Sequence, residues 1–253
     1  MLSATAREWP QGDDWVMQAK WDGFRMLVTV DRDRRICAWS RHGTSMTGRL
    51  QGLLRPFADV PPGSVFDGEL VAVGKRDGLA VQDYGAVGRA VFLKDDRALR
   101  SLRFVAFDLL ELAGADIRYR PWSERDQLLR DALPTDAHLR IIENQPPDRE
   151  AHAAIVRLGF EGTVLKRRAS IYRSGRRNTW RKCKHRHTTH GVVLSVQSGG
   201  EGTPLAVCDV GGRQAIVHAS ADIGERIGES VRIAYSRLDA DGSLREASVL
   251  HER

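Results

Sequence analysis

Cysteine is scarce in this chain. Its three cysteines, Cys37, Cys183 and Cys208, are odd in number and far apart. They fit neither a disulfide framework nor a zinc site, and they point to a reduced, cytoplasmic setting. Long apolar runs are missing too: none approaches the roughly 18 residues that a membrane span needs. The first residues meet Arg7, Glu8 and Trp9 too early for a secretory signal. There is no internal repeat and no low-complexity tract. Lysine is the other rarity. Of 39 basic residues only six are lysine: Lys20, Lys75, Lys94, Lys166, Lys182 and Lys184. A chain that otherwise uses arginine raises the question of what arginine cannot do at those six places. Arginine stays protonated and is no nucleophile, whereas a lysine amine can attack an electrophile.

What is present suits a globular protein. Hydrophobic residues make up 42% and charged residues 28% of 253, enough for a real core and against disorder. One large domain or two smaller ones are expected. The net charge of +6 suggests a polyanionic partner, although 33 acids offset the bases.

Val16 to Gln18 reads as a short strand. Phe24 to Val30 and Ile36 to Ser40 read as a hairpin across a polar turn. Leu50, Leu53, Leu54 and Phe57 recur at helical spacing before Pro61-Pro62-Gly63. Val65 to Val73 and Leu102 to Leu110 read as strands. Ser123-Glu124-Arg125-Asp126 predicts a capping box opening a helix to Leu133, and Asp148 predicts the cap of another helix to Leu158. Strands follow around Gly162 to Lys166 and Thr179 to Lys184. The texture then changes. After a polar stretch at His185 to His190, five short β segments alternate with glycine turns: Val192 to Val196, Leu205 to Val210, Gln214 to Val217, Val231 to Tyr235 and Ala247 to Leu250. That pattern suits a small barrel of the oligonucleotide-binding type. His185, His187 and His190 read as a solvated linker rather than a metal cluster, because no cysteine or carboxylate completes a site.

Six short segments carry chemistry: Lys20-Trp21-Asp22-Gly23-Phe24-Arg25, Ser40-Arg41-His42-Gly43, Phe66-Asp67-Gly68-Glu69-Leu70, Phe107-Asp108-Leu109-Leu110, Glu161-Gly162-Thr163-Val164-Leu165-Lys166 and Trp180-Arg181-Lys182-Cys183-Lys184. Each alone has an ordinary reading as turn glycines, core phenylalanines or solvated charge pairs. In this order they resemble the KxDG, SRxG, FDGEL, FDLL, EGxVxK and WxKxK motifs of the covalent nucleotidyltransferase superfamily, and within it the ATP-dependent DNA ligases. The flanking text resembles small bacterial ligases related to the ligase module of bacterial end-joining systems. The resemblance runs from about residue 7 to 184, and less sharply to 253. Four of the six lysines fall inside its motifs.

The resemblance implies an α+β fold: a nucleotidyltransferase (adenylation) domain of antiparallel sheets with flanking helices over residues 1–187, then a small OB-fold β-barrel over 188–253. It implies a DNA ligase that seals nicks in DNA repair through a covalent lysine–AMP intermediate and a DNA-adenylate. Lys20 would be the catalytic nucleophile. Lys182 and Lys184 would neutralise the α-phosphate and help hold Lys20 unprotonated. Arg25, Arg41 and Arg176 would contact ribose and phosphates, with Arg177 competing for the last role. Phe107 would stack on adenine, and Phe104 would belong to the core. Glu69 would bind ribose hydroxyls or metal, and Glu161 would bind Mg²⁺ or Mn²⁺. Asp22 would orient Lys20 or shape a turn.

Two departures stand out. Gln18 occupies a position where the family often has glutamate, and its carbonyl can still accept from the adenine amino group. Family barrels also continue through R-x-D-K, of which Arg253 matches only the leading arginine, so slower self-adenylylation than closure of pre-adenylylated nicks is expected. No DNA-binding domain precedes residue 1 in this reading, so the two domains would clamp the duplex themselves, moving about a hinge near 186–190. ATP is the expected nucleotide and nicked duplex DNA the expected partner. A DNA-end-binding repair protein is a further expected partner, with no membrane, for a monomer in the bacterial cytosol or nucleoid. An RNA ligase, a capping-type guanylyltransferase, and a non-catalytic nucleic-acid-binding relative are the competing readings.

Overall fold

A computed structural model describes residues 1–6, 9–10, 12–76, 79–238 and 243–250. Arg253 and part of the 241–246 segment that resembled family barrel ends lie outside the described residues. By packing, the chain divides into two compact units, Met1–Cys183 and Lys184–Arg253. The division falls a few residues before the 187/188 expected.

The first unit holds two sheets. One is built on β3 (Phe24–Val30), β4 (Ile36–Ser40), β5 (Ser64–Arg76), β7 (Leu102–Leu112) and β8 (Ala115–Asp116), in the order β4-β3-β5-β7-β8; β6 (Leu79–Gln82) pairs with β5, and β9 (Leu139–Ile141) with β7. The other has the order β1-β11-β10-β2, from β1 (Leu2–Thr5), β11 (Arg176–Lys184), β10 (Gly162–Arg167) and β2 (Trp15–Ala19). Most pairings are antiparallel, and among the described residues five helices flank the sheets: α1 (Thr47–Leu54), α2 (Tyr84–Phe92), α3 (Asp96–Arg100), α4 (Trp122–Ala132) and α5 (Arg149–Arg157).

Alternation along β3 sends Met26, Val28 and Val30 into the main core beside Leu50, Phe57, Phe66 and Phe104. Phe57 and Phe104 meet edge to face at 5.7 Å, so Phe104 is a core residue as expected. The expected hairpin forms, with Leu27 opposite Trp39. Asp148 caps α5 by accepting from the Ala151 amide at 2.6 Å. The expected capping box does not form. Helix α4 opens with Pro121 as its N-cap and no side-chain cap bond. Trp122, 1% exposed, begins the helix and is buried against Met1, Val16 and Trp180. Ser123 therefore falls inside the helix, where its amide donates to the Arg168 carbonyl.

The second unit contains a closed barrel of β12 (His187–Ser198), β13 (Pro204–Asp209), β14 (Gln214–His218), β18 (Ser248–Val249) and β15 (Ser230–Tyr235). Two short strands, β16 (Arg237–Leu238) and β17 (Leu244–Arg245), pair beside it. Val193, Ala206, Val217, Val231 and Ile233 form its core. One expectation is corrected here. Residues 187–190 are the first residues of β12, in register with β15 from His187↔Tyr235 to His190↔Arg232. They are not a linker. The β-branched Thr188 and Thr189 suit a strand, and the His187 ring stacks on Tyr235 at 5.4 Å.

Candidate active site

The KxDG segment joins the two sheets. Its lysine extends the small sheet, with the Lys20 amide donating to the Gly162 carbonyl at 2.8 Å. Four residues later β3 begins in the large sheet. Gly23 is set by space at this crossing: a Cβ there would lie 2.2 Å from the Leu70 carbonyl oxygen. The Asp22 amide donates to Gln82 Oε1 at 2.9 Å, and the Trp21 ring meets Phe160 edge to face at 4.8 Å.

At this junction the Lys20 amine is ion-paired with the Glu161 carboxylate, contributed by the turn before β10. The two side chains are 24% and 13% exposed, sheltered yet open to a ligand. Glu69 stands opposite Arg25 in the β3–β5 register. Burial raises its carboxyl to about 7, against the pull of Lys20; Asp67 and Glu161 add to the rise and Arg25 opposes it. Lys20, Arg25 and Glu161 thus all act on the Glu69 carboxyl through their charges.

Arg25 is held firmly. Its Nε and Nη2 donate to the two oxygens of the fully buried Asp67, Nη2 also donates to the Tyr172 hydroxyl, and Nη1 donates to the Met1 carbonyl. Tyr172 passes its own proton bond to Asp67 at 2.9 Å. Burial would lower the Arg25 pKa, but the charge and hydrogen bonds of Asp67 outweigh it and raise it. Gly68, next to Asp67, is also fixed by space, since a Cβ would lie 2.4 Å from the Phe104 ring.

Gln18 is 1% exposed on β2. Its Nε2 donates to Asn144 Oδ1 at 2.7 Å, and Asn144 donates on to Asp126 at 2.6 Å. That chain fixes the amide and leaves the Gln18 carbonyl to accept from a ligand. Phe107 is half-buried, packed against the clusters that hold Trp180 and Trp21. Behind it lies Lys166, 2% exposed. The Lys166 amine donates to the Phe107 carbonyl at 2.8 Å and sits 4.0 Å from the Trp180 ring centre and 4.8 Å from that of Phe107. Desolvation lowers its pKa to about 7, although Asp108, Asp126 and Asp67 favour the charge.

Lys182 shares a strand face with Trp180. Arg176 is exposed at the start of β11, and Arg41 is exposed in the turn after β4. Lys184 belongs by its contacts to the second unit, where its amine lies 2.7 and 2.8 Å from the two Glu246 oxygens. The structure therefore gathers Lys20, Arg25, Glu69 and Glu161, and it places Gln18 and Phe107 on strands of the same unit. Sequence reasoning gave no role to Asp67, Asn144, Tyr172 or Lys166. Asp67 and Lys166 stood inside quoted motifs; Asn144 and Tyr172 carried no signal.

Among the described residues no group of three or more His, Cys, Asp or Glu side chains is gathered into a cage. Glu69 and Glu161 offer two carboxylates. A Mg²⁺ ion is commonly held by one or two carboxylates together with substrate phosphates, so this donor set fits a hard cation that arrives with a phosphate.

Comparison with known proteins agrees with the motifs. Residues 3–184 match the family model described as ATP dependent DNA ligase domain. A probable DNA ligase of Streptomyces griseus is 33% identical over 195 residues, covering 72% of this chain and 38% of that protein. The multifunctional non-homologous end joining DNA repair protein LigD of Mycobacterium tuberculosis is 33% identical over 197 residues, covering 76% of this chain and 24% of that protein. The chain thus spans well under half the length of these curated relatives. Among solved structures, the ligase domain of M. tuberculosis LigD is similar with a TM-score of 0.62 at 26% identity, covering 98% of this chain and 92% of that one. A Lig E DNA ligase shares the fold with a TM-score of 0.70 at 18% identity, covering 95% and 93%. With the match spanning residues 3–184 of 253, the chain belongs to the family of ATP-dependent DNA ligase domains.

Proposed function

We propose that this protein is an ATP-dependent DNA ligase that seals nicks in duplex DNA and acts in DNA repair in the bacterial cytosol. The observation that carries the reading is the Lys20 amine, paired with Glu161 beside Glu69 and Arg25 at the junction of two sheets. A lysine on a helix surface has no such company.

In the first step the ion pair opens, the Lys20 nitrogen sheds a proton and attacks the α-phosphorus of ATP. A P–N bond forms, the bond to the bridging oxygen breaks, and pyrophosphate leaves with the electron pair. In the second step an oxygen of the nick 5′-phosphate attacks the same phosphorus and Lys20 departs as the amine. In the third the 3′-hydroxyl attacks the activated 5′-phosphate, AMP leaves, and the hydroxyl proton goes to solvent or base. Covalent catalysis supplies AMP as a good leaving group on an otherwise sluggish monoester.

Charge builds on nonbridging oxygens in each step, so cations around them lower the barrier. Lys182, Lys184, Arg41 and Arg176 are assigned to phosphates on that ground. Arg25, whose guanidinium is braced by Asp67 and Tyr172, is assigned to the edge of the ribose and phosphate site. Phe107 is assigned to adenine stacking, with Gln18 accepting from the adenine amino group. Glu69 and Glu161 would hold Mg²⁺ or Mn²⁺, which supplies neutralisation of phosphate charge. Nicked DNA is the proposed partner, with a DNA-end-binding repair protein as a second, and the enzyme is proposed to act as a monomer.

Intact mass spectrometry after incubation with ATP and Mg²⁺ tests this. The wild-type chain is expected to gain the mass of one AMP, peptide mapping to place it on Lys20, and nicked DNA to discharge it. Lys20→Ala should gain nothing. Discharge by nicked RNA alone, or loading by GTP alone, would favour the RNA ligase or guanylyltransferase readings. No adduct on the wild-type chain defeats all three.

A further inference from the structure

The small sheet has two faces. In the β2–β10 register Val16 stands opposite Lys166 and Gln18 opposite Val164, while Trp15 stands opposite Arg167. Alternation therefore puts Trp15 and Arg167 on the face opposite Val16, Gln18 and Lys166. On β11 the same rule separates Arg181 from Trp180 and Lys182. The Arg181 guanidinium lies 4.6 Å over the Trp15 ring, which confirms that these two share the reverse face.

That face carries a cleft of about 550 Å³, lined by Trp15, Arg167, Ser170, Arg173, Arg177 and Arg181 among others. Four arginines thus border one cavity. Among the described residues no carboxylate lies within 4.0 Å of any of them, although other arginines of the chain, Arg25 and Arg125 among them, make such pairs. The Nε of Arg181 donates to the Asn178 carbonyl and that of Arg177 to the Ser174 carbonyl. At the cavity wall Ser170 is 5% exposed, and its hydroxyl has no hydrogen-bond partner. A buried hydroxyl without a partner is costly. The cleft's other polar side chains are those of Asn178 and Thr179. Trp15 is covered by Arg181, so the cleft offers a base no open ring to stack on. Its chemistry reads phosphate, not nucleobase.

We propose that this cleft is a second phosphate-binding site, which takes phosphodiesters of a nucleic-acid backbone on the face of the sheet opposite Gln18 and Lys182. The inference rests on the ligase reading for its choice of phosphate source. Arginine presents two parallel donors to a phosphate and suits such contacts. Backbone contacts of this kind position a protein on a duplex without reading its sequence.

The test is duplex binding as a function of salt, by fluorescence anisotropy with an intact, unnicked duplex. Arg167 and Arg173 are both exposed, so Arg167→Gln/Arg173→Gln removes two cleft charges with little risk to folding. Arg97→Gln/Arg100→Gln, on the exposed side of α3, removes the same charge elsewhere. Each phosphate contact contributes about 0.9 to the slope of log affinity against log salt, so the cleft pair is expected to flatten the slope by roughly 1 to 2 and the control pair to leave it nearly unchanged. Equal slopes for the two double variants would overturn the proposal. Displacement of the duplex by inorganic phosphate at fixed ionic strength from wild type but not from the cleft variant would support the proposal, because it would show duplex phosphates occupying the cleft. If the pair melts early, Arg173→Gln alone is expected to cost about 0.9 of slope, and no loss in that variant counts against the cleft. The ATP-dependent mass gain on Lys20 should persist in every variant. Its absence from wild type sinks the ligase reading, whatever the slopes show.

Discussion

Asp108 and Arg125 are both wholly buried, and the guanidinium spans the carboxylate with two bonds of 2.8 Å. Arg125 Nη1 also donates to the carbonyls of Arg120 and Ser170. This pair ties the FDLL strand to helix α4 and to the turn before Tyr172. Taking two charges out of water nearly cancels their attraction, but removing one partner strands the other. Asp108→Ala is therefore expected to destabilise the first unit by about 3–5 kcal/mol, read as a fall in the urea midpoint. Adding Arg125→Met to that variant should recover a large part of the loss. If the second change costs as much again, the pair is not the source of the effect. The same reasoning explains why two motif aspartates, Asp67 and Asp108, are architectural: each is held by an arginine.

At the scale of elements, helix α5 depends on Asp148, which accepts from the Ala151 amide and satisfies one of the orphan donors of the first turn. Asp148→Ala is expected to cost about 1 kcal/mol and Asp148→Asn much less, measured by thermal or urea melts; equal losses would mean that the negative charge matters more than the cap. That helix, the β3–β4 hairpin and the barrel strands were legible because local signals agreed with tertiary packing. Others were not legible. Helix α2 runs Tyr84–Phe92 through Gly85 and Gly88, poor helix formers that hide it, and its cap, Asp83, binding the Ala86 amide, is its one clear signal. Strand β1 is four residues paired parallel to β11, a contact some 170 residues away that no local pattern encodes. The expected capping box at Ser123 failed because burial of Trp122 fixed the helix start instead. At the site, motif wording carried Lys20, Glu69 and Glu161. Tyr172 and Asn144 came only with the fold, because each supports a motif residue more than 100 positions away.

Across the whole molecule, two buried groups oppose each other in their effect of pH on stability. Burial raises the Glu69 carboxyl from 4.5 to about 7, so between those values the folded state holds a proton that the unfolded chain has lost. Stability contributed by Glu69 therefore falls as pH rises from about 4.5 through 7. Burial lowers the Lys166 amine from 10.5 to about 7, so above 7 the unfolded chain binds a proton that the folded state lacks. Stability contributed by Lys166 rises from about pH 7 toward 10. Each slope is at most about 1.4 kcal/mol per pH unit. Other groups titrate in the same range, so the contributions are read as differences. Glu69→Gln should remove the decline below pH 7 and leave the rise above it. Lys166→Met, which keeps the stem length within the Trp122, Phe107 and Trp180 cage, should remove the rise and leave the decline. Urea titrations of the three proteins from pH 5 to 9 give these curves. A Lys166→Met variant that parallels wild type above pH 7 would mean that the amine stays charged when buried, held by Asp108, Asp126 and Asp67 against the loss of water.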